Sequence, residues 1–175
     1  VWTRTNAGGG GAIAVVGATA SGTMLAASDL SGVYRSVDNG QSWDVLGANN
    51  GLPETHASSF GFHPTNGNIF FVGTFNGAFK TVNGGESFTQ VVSDDPANSV
   101  YPYIESIVLS KSNTNRGYMA FHNNSESSGE VYRSNNGGDS WAAVAGENLP
   151  NNLRLLKLIV HPLDQNLVYV LTGKS

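Results

Sequence analysis

The groups in this 175-residue chain best suited to chemistry are carboxylates and rings in loop-like segments. Asp29, Glu54, Asp94, Asp95, Glu105, Glu126 and Glu147 fall in or near loops that share one face of the fold predicted below. A lone loop carboxylate is usually a solvated charge, but two held apart can divide proton removal and proton donation between them. Asp29 stands in a short connection between two strands, Ala27-Ser28-Asp29-Leu30-Ser31-Gly32. The alternative for Asp29 is to bond its own turn, as Asx side chains do. No motif marks a second acid to accompany it. Phe75, Tyr101, Tyr103 and His122 belong to the same set of loops and offer flat faces for a sugar ring, or rim packing. Asn76, in Thr74-Phe75-Asn76-Gly77, reads as the counterpart of Asp29 and as a hydrogen-bonding group beside those rings. The segments 49–53 and 93–98 are rich in Asn, Asp and Ser, so these loops could frame a glycan cleft.

Other chemistries find less support. The chain has no cysteine, which excludes a disulfide scaffold and thiolate metal sites. No His pair has ligand spacing, and Asp94-Asp95 is too short a signal for calcium. The expectation is therefore no metal and no cofactor. Net charge is −4 with nine Lys and Arg and no basic stripe, which argues against nucleic acid. No apolar run reaches membrane-spanning length. His63 and His161 each precede Pro in equivalent turns, and that repetition marks them as structural. Asn123-Asn124-Ser125 is a glycosylation sequon. The opening Val1-Trp2-Thr3 suits a mature chain after removal of a leader.

What must position these groups is a repeated turn. Ser36-Val37-Asp38-Asn39-Gly40-Gln41-Ser42-Trp43 recurs as Thr81-Val82-Asn83-Gly84-Gly85-Glu86-Ser87-Phe88 and as Ser134-Asn135-Asn136-Gly137-Gly138-Asp139-Ser140-Trp141. In each copy a short Asx side chain can bond backbone N–H groups, Gly40, Gly85 or Gly138 can take a positive φ, and the aromatic can pack between sheets. Each copy follows an alternating strand and precedes another, which predicts a β-hairpin. The copies start at 36, 81 and 134, steps of 45 and 53 residues, a period that fits four-stranded propeller blades. Apolar first strands at 12–16, 59–62, 106–109 and 156–160 and second strands at 24–27, 69–72, 117–121 and 167–171 complete the pattern.

The prediction is an all-β partial propeller: 1–5 an orphan outer strand, 12–46, 57–92 and 103–145 three blades, and 154–175 the first half of a fourth. A closed ring needs more, so the remaining blades are expected from a longer chain or from another chain. Strand direction puts the repeated turns and the His-Pro turns on one face. Asp29 and the loops around it lie on the other.

The repeated turn resembles the Asp-box, or BNR repeat, found in sialidases, sortilin-type propellers, photosystem assembly propellers and family 74 glycoside hydrolases. Trp2, the run Gly8-Gly9-Gly10-Gly11 and the segment from Ala27 to Arg35 resemble the start of family 74 xyloglucan-type endoglucanases. That resemblance implies a secreted β-glucan hydrolase with Asp29 as general base, and Ser31 replaces the first of two family glycines. Inverting hydrolysis sets base and acid roughly 6.5–9.5 Å apart. The family's acid lies in a second propeller, so this stretch alone would be inactive. Sialidase is a weaker match, with no Arg-Ile-Pro segment and Arg4, Arg35 and Arg133 in strands. The competing expectations are a non-catalytic propeller binding glycan or protein, and an extracellular assembly subunit.

Overall fold

The computed structural model describes residues 10–53, 56–93, 103–122, 129–144 and 154–173. The first sheet holds β1 (Ile13–Ala18), β2 (Met24–Ser28), β3 (Gly32–Ser36) and β4 (Asp44–Leu46). The second holds β5 (Ala57–Phe62), β6 (Phe70–Thr74), β7 (Gly77–Thr81) and β8 (Thr89–Ser93). The third holds β9 (Tyr103–Leu109), β10 (Gly117–His122), β11 (Gly129–Ser134) and β12 (Ala142–Ala143). A fourth pairs β13 (Arg154–Val160) with β14 (Val168–Gly173). Every sheet is an antiparallel meander with strands in chain order. One 3-10 turn, Ala48–Asn50, leads from the first sheet toward the second. This is the all-β, propeller-like architecture that the turn spacing predicts.

The sheets stack face to face, and successive side chains of a central second strand face its two neighbouring sheets in turn. Leu25, Ala27, Val33 and Leu46 of the first sheet meet Phe60, Phe70, Val72 and Phe79 of the second. Phe71 and Ala78 turn the other way and join Ile107, Met119 and Phe121 of the third. Tyr118, Ala120 and Val131 in turn meet Leu158 and Val160 of the fourth. A sheet covered on both faces reads as a continuous apolar run, which is why all five residues of β6 are buried.

The first strands lie innermost and touch across the gaps. Gly61 makes this possible, because a Cβ there would sit 2.7 Å from Ile107 Cγ2. Serines replace ladder partners between sheets. Ser58 and Ser59 Oγ donate to Ile104 O at 2.7 and 2.8 Å, and Leu158 N–H donates to Ser106 Oγ at 3.2 Å.

The repeated turn has one geometry in three copies. The Ser36, Thr81 and Ser134 hydroxyls accept the N–H of Gly40, Gly85 and Gly138 at 2.8, 3.0 and 2.8 Å. Asp38, Asn83 and Asn136 Oδ1 accept the N–H of Ser42, Ser87 and Ser140 at 2.9, 3.0 and 3.0 Å. The residue before the buried glycine is also left-handed, at φ 58 for Asn39, 74 for Gly84 and 69 for Gly137. The last serine adapts to its partner. Ser42 Oγ donates to Asp38 Oδ2, whereas Ser87 and Ser140 Oγ accept from the amides of Asn83 and Asn136. Those bonds from Ser42, with Ser36 behind them, hold the Asp38 carboxyl down at about 2, against an ordinary 3.8. Phe88 is buried against Phe70, and Trp141 stands edge-on to Phe71. Trp43 lies half-buried beside an apolar groove on the outer face of the first sheet.

These turns share their end of the sheets with the connections between first and second strands. Gly84 N–H donates to Asn68 O at 3.0 Å and Gly137 N–H to Asn115 O at 2.9 Å. The histidines there are structural: His63 Nδ1 accepts the N–H of Thr65 and Asn66, and His161 Nδ1 that of Leu163. Burial, with the Lys80 charge adding, lowers the His63 pKa from its ordinary value. The expected strand at 1–5, Gly8, Gly9, Glu54, Asp94, Asp95, Tyr101, Glu126, Glu147 and the sequon at 123–125 lie outside the described residues.

Candidate functional site

Asp29 opens the three-residue link between β2 and β3, at the end of the sheet opposite the repeated turn. It is clamped to the start of β1. Its Oδ1 accepts the Ala12 N–H at 2.8 Å, and its own N–H donates to Ala12 O at 3.1 Å. The turn itself is served by Ser28, whose hydroxyl oxygen accepts the N–H of Leu30 and Ser31. The Asp29 carboxylate is therefore not spent on its own turn. Ser31, which replaces a glycine of the resembled segment, has work here. Its Oγ donates to Gly10 O at 2.6 Å and accepts from Tyr34 OH at 2.8 Å. Gly11 runs tight beneath, at φ 89, where a Cβ would collide with Asp29 Oδ1 and Ser28 Oγ. Among the described residues no hydrogen bond reaches Asp29 Oδ2.

The second sheet corrects one correspondence. Phe75 N–H donates to His56 O at 3.3 Å, as Asp29 N–H does to Ala12 O. Asn76 N–H bonds Thr74 Oγ1, as Leu30 N–H bonds Ser28 Oγ. Phe75, not Asn76, thus holds the Asp29 position. The link is one residue shorter in the second sheet, and matching Asx to Asx along the chain slips the register. The fold therefore builds this corner without a carboxylate.

Phe75, Tyr103 and His122 come together, as the shared loops predict, and His56 joins them. Ring centroids lie 3.8 Å apart for His56 and Phe75, 4.4 Å for Phe75 and Tyr103, and 4.8 Å for Tyr103 and His122. The His122 imidazole also lies 3.2 Å from Glu105 Oε1, both side chains 12% exposed. This ladder bridges the second and third sheets at the Asp29 end. The Tyr103 and His122 rings stack, Phe75 is tilted against Tyr103, and His56 stands edge-on to Phe75. Exposed Asn76 sits beside it, its carbonyl accepting from Gln90 Nε2 at 3.1 Å. His56 carries no sequence signal, standing one residue before a strand with no repeat partner. Among the described residues no cluster of three or more His, Asp or Glu is placed to hold a metal.

Comparison with known proteins bears on this arrangement. No protein-family model and no curated protein sequence matches the chain. Solved structures do. An ancestral GH74 enzyme is 28% identical over 97% of this chain, with a TM-score of 0.74. A GH74 enzyme of Niastella koreensis is 16% identical over 96%, with a TM-score of 0.71. YCF48 from Cyanidioschyzon merolae is 15% identical over 93%, with a TM-score of 0.65.

The chain's fold is that of a segment of GH74 enzymes. It spans 23% and 27% of the two GH74 chains and 48% of YCF48. The likenesses below 25% identity speak for fold alone. Among the described residues no helix is long and apolar enough to cross a membrane.

Proposed function

We propose that this chain is part of a secreted glycoside hydrolase that cleaves a β-glucan of xyloglucan type with inversion, Asp29 acting as general base. The observation that carries the reading is the clamped carboxylate. Phe75 occupies the same corner of the next sheet, so the fold has no need of an acid there. Yet Asp29 is fixed through Oδ1 to Ala12 N–H, with Oδ2 turned free of protein hydrogen bonds among the described residues. A base that activates water needs one oriented, accessible oxygen. The 28% identity to an ancestral GH74 enzyme over nearly the whole chain supports the same class. The acid that protonates the leaving oxygen is expected from another part of the assembled enzyme. Phe75, Asn76, Tyr103 and His122 would meet the sugars flanking the cleaved bond.

The test is reducing-sugar release from xyloglucan and mixed-linkage β-glucan by the intact gene product and its Asp29→Asn variant. Loss of a general base costs about 10²- to 10⁴-fold in turnover, with oligosaccharide affinity retained. Unchanged turnover removes Asp29 from the mechanism. A second reading, a non-catalytic propeller that binds glycan or protein, is favoured by the ring ladder, in which Tyr103 stacks on His122 and Phe75 packs tilted against Tyr103. A YCF48 neighbour, 18% identical, was solved bound to D1 peptide. Oligosaccharide binding with no turnover by the intact product would select this second reading.

A further inference from the structure

The strand entry that holds Asp29 has little of its own to fix it. Residues 10–12 precede β1 and stand outside its ladder with β2, which begins at Ile13 paired with Ser28. Gly10 and Gly11 are exposed, and glycine has the most backbone freedom to lose. Yet this segment must bring the Ala12 N–H to Asp29 Oδ1 and the Ala12 carbonyl to the Asp29 N–H.

Hydroxyls converging on one carbonyl supply the missing restraint. Gly10 O accepts from Ser28 Oγ at 3.0 Å and from Ser31 Oγ at 2.6 Å. Tyr34 OH stands behind Ser31 and donates to its Oγ at 2.8 Å. The donors run one way, from Tyr34 to Ser31 to Gly10, so each bond polarises the next. A serine hydroxyl rotates easily, but here its proton goes to Gly10 while Tyr34 takes a lone pair.

The second sheet shows that packing alone does not call for this relay. Tyr34 and Phe79 each stand two residues past the glycine that opens the third strand, Gly32 or Gly77. Both are 3% exposed, so an aromatic ring without a hydroxyl serves the position equally well. The link of that sheet, Phe75-Asn76, holds neither a serine nor a carboxylate. Phenol, serine and carboxylate are thus present together in the first sheet and absent together from the second. Tyr132 holds the position in the third sheet, and the link before it lies outside the described residues.

We propose that Ser31 and Tyr34 are positioning residues for Asp29. The relay fixes the Gly10 carbonyl, residues 10–12 carry that restraint to the Ala12 N–H, and the N–H sets the direction in which Asp29 Oδ2 faces. The proposal rests on the reading of Asp29 as general base. Its consequence is lost turnover with binding retained, because the aim of a base counts in the transition state.

The experiment takes two readouts from the intact gene product. Hydrogen exchange, resolved to single residues by mass spectrometry, reports the Ala12 and Asp29 amides without need of activity. Ser31→Ala and Tyr34→Phe should each speed exchange at both amides by about 3- to 10-fold, the worth of one hydrogen bond. The Gly40 and Ser42 amides, bonded in the repeated turn at the other end, should keep the parent rate. Ser31→Thr, which retains the hydroxyl, should restore the parent exchange. In β-glucan hydrolysis kcat should fall about 10- to 100-fold for Ser31→Ala, with KM within about twofold. Adding Tyr34→Phe to Ser31→Ala should lose nothing more, and Ser31→Ala should cost at most about twofold once Asp29→Asn is in place. Parent exchange rates in Ser31→Ala overturn the proposal, as does faster exchange with parent kcat. So does an undiminished loss from Ser31→Ala on the Asp29→Asn background. A gene product that cleaves no β-glucan, yet exchanges faster at those amides in both variants, supports the relay and removes the hydrolase reading instead.

Discussion

Phe71 and Tyr169 occupy one position in two sheets. Each follows the residue that pairs with the last residue of its sheet's first strand, Phe70 with Phe62 and Val168 with Val160. Phe71 is fully buried, its ring edge-on to Trp141 at 6.1 Å and 5.6 Å beneath Lys80 Nζ. Tyr169 is 54% exposed. Phe71→Ala empties a site packed on every side, and such truncations cost about 3–5 kcal/mol. For a chain of this size each kcal/mol moves the melting temperature by about 2–4 °C, so the expected fall is about 6–20 °C. Tyr169→Ala removes surface atoms and should stay within about 0.5 kcal/mol, or about 2 °C. The assay is thermal unfolding of both variants beside the parent, read by far-ultraviolet circular dichroism and by tryptophan fluorescence. Equal losses, or a fall on Tyr169→Ala as large as that on Phe71→Ala, would refute the assignment of a covered and an uncovered face.

Two more outcomes follow from the turn and the clamp. Asp38 is held at about 2 when folded, below its ordinary 3.8, so its stabilising contribution is full above the higher value and drains as pH falls toward the lower. Asp38→Asn, the residue found at Asn83 and Asn136, should fold and show a flatter melting profile between those pH values; an unchanged acid limb would count against the Asp38 bonds. Gly11→Ala should cost about 1–3 kcal/mol, because φ 89 and the collision with Asp29 Oδ1 both oppose a Cβ. The same change should move the Ala12 amide resonance, and a fixed resonance would show that Asp29 does not hold that N–H.

How much was legible depends on the reach of each interaction. The repeated turn was readable because Asp38, Asn83 and Asn136 bond residues four places away, within one motif. The alternating faces of β6 followed from period two. The Asp29 clamp was not readable, since its donor stands 17 residues back in an apolar strand entry with no polar side chain to announce it. Phe75 was misaligned with Asn76 because the two links differ by one residue. The contacts of Arg35 and Lys80 were not readable, for their acceptors are backbone carbonyls 49 and 57 residues on. His56 joins its ladder only through tertiary packing, and the Glu105–His122 pair spans two strands of a sheet with no motif linking them.

Among the described residues three apolar clusters stay separate, each lying between one pair of sheets. The chain therefore has no centre that must melt at once. Amide hydrogens should exchange in a gradient, slowest in β6 and β10, each with a cluster on either side, and faster in the first and fourth sheets, each anchored to a single cluster. Heat or protease would open the first and fourth sheets before the second and third, and the span between Phe60 and Phe121 would be the last to yield.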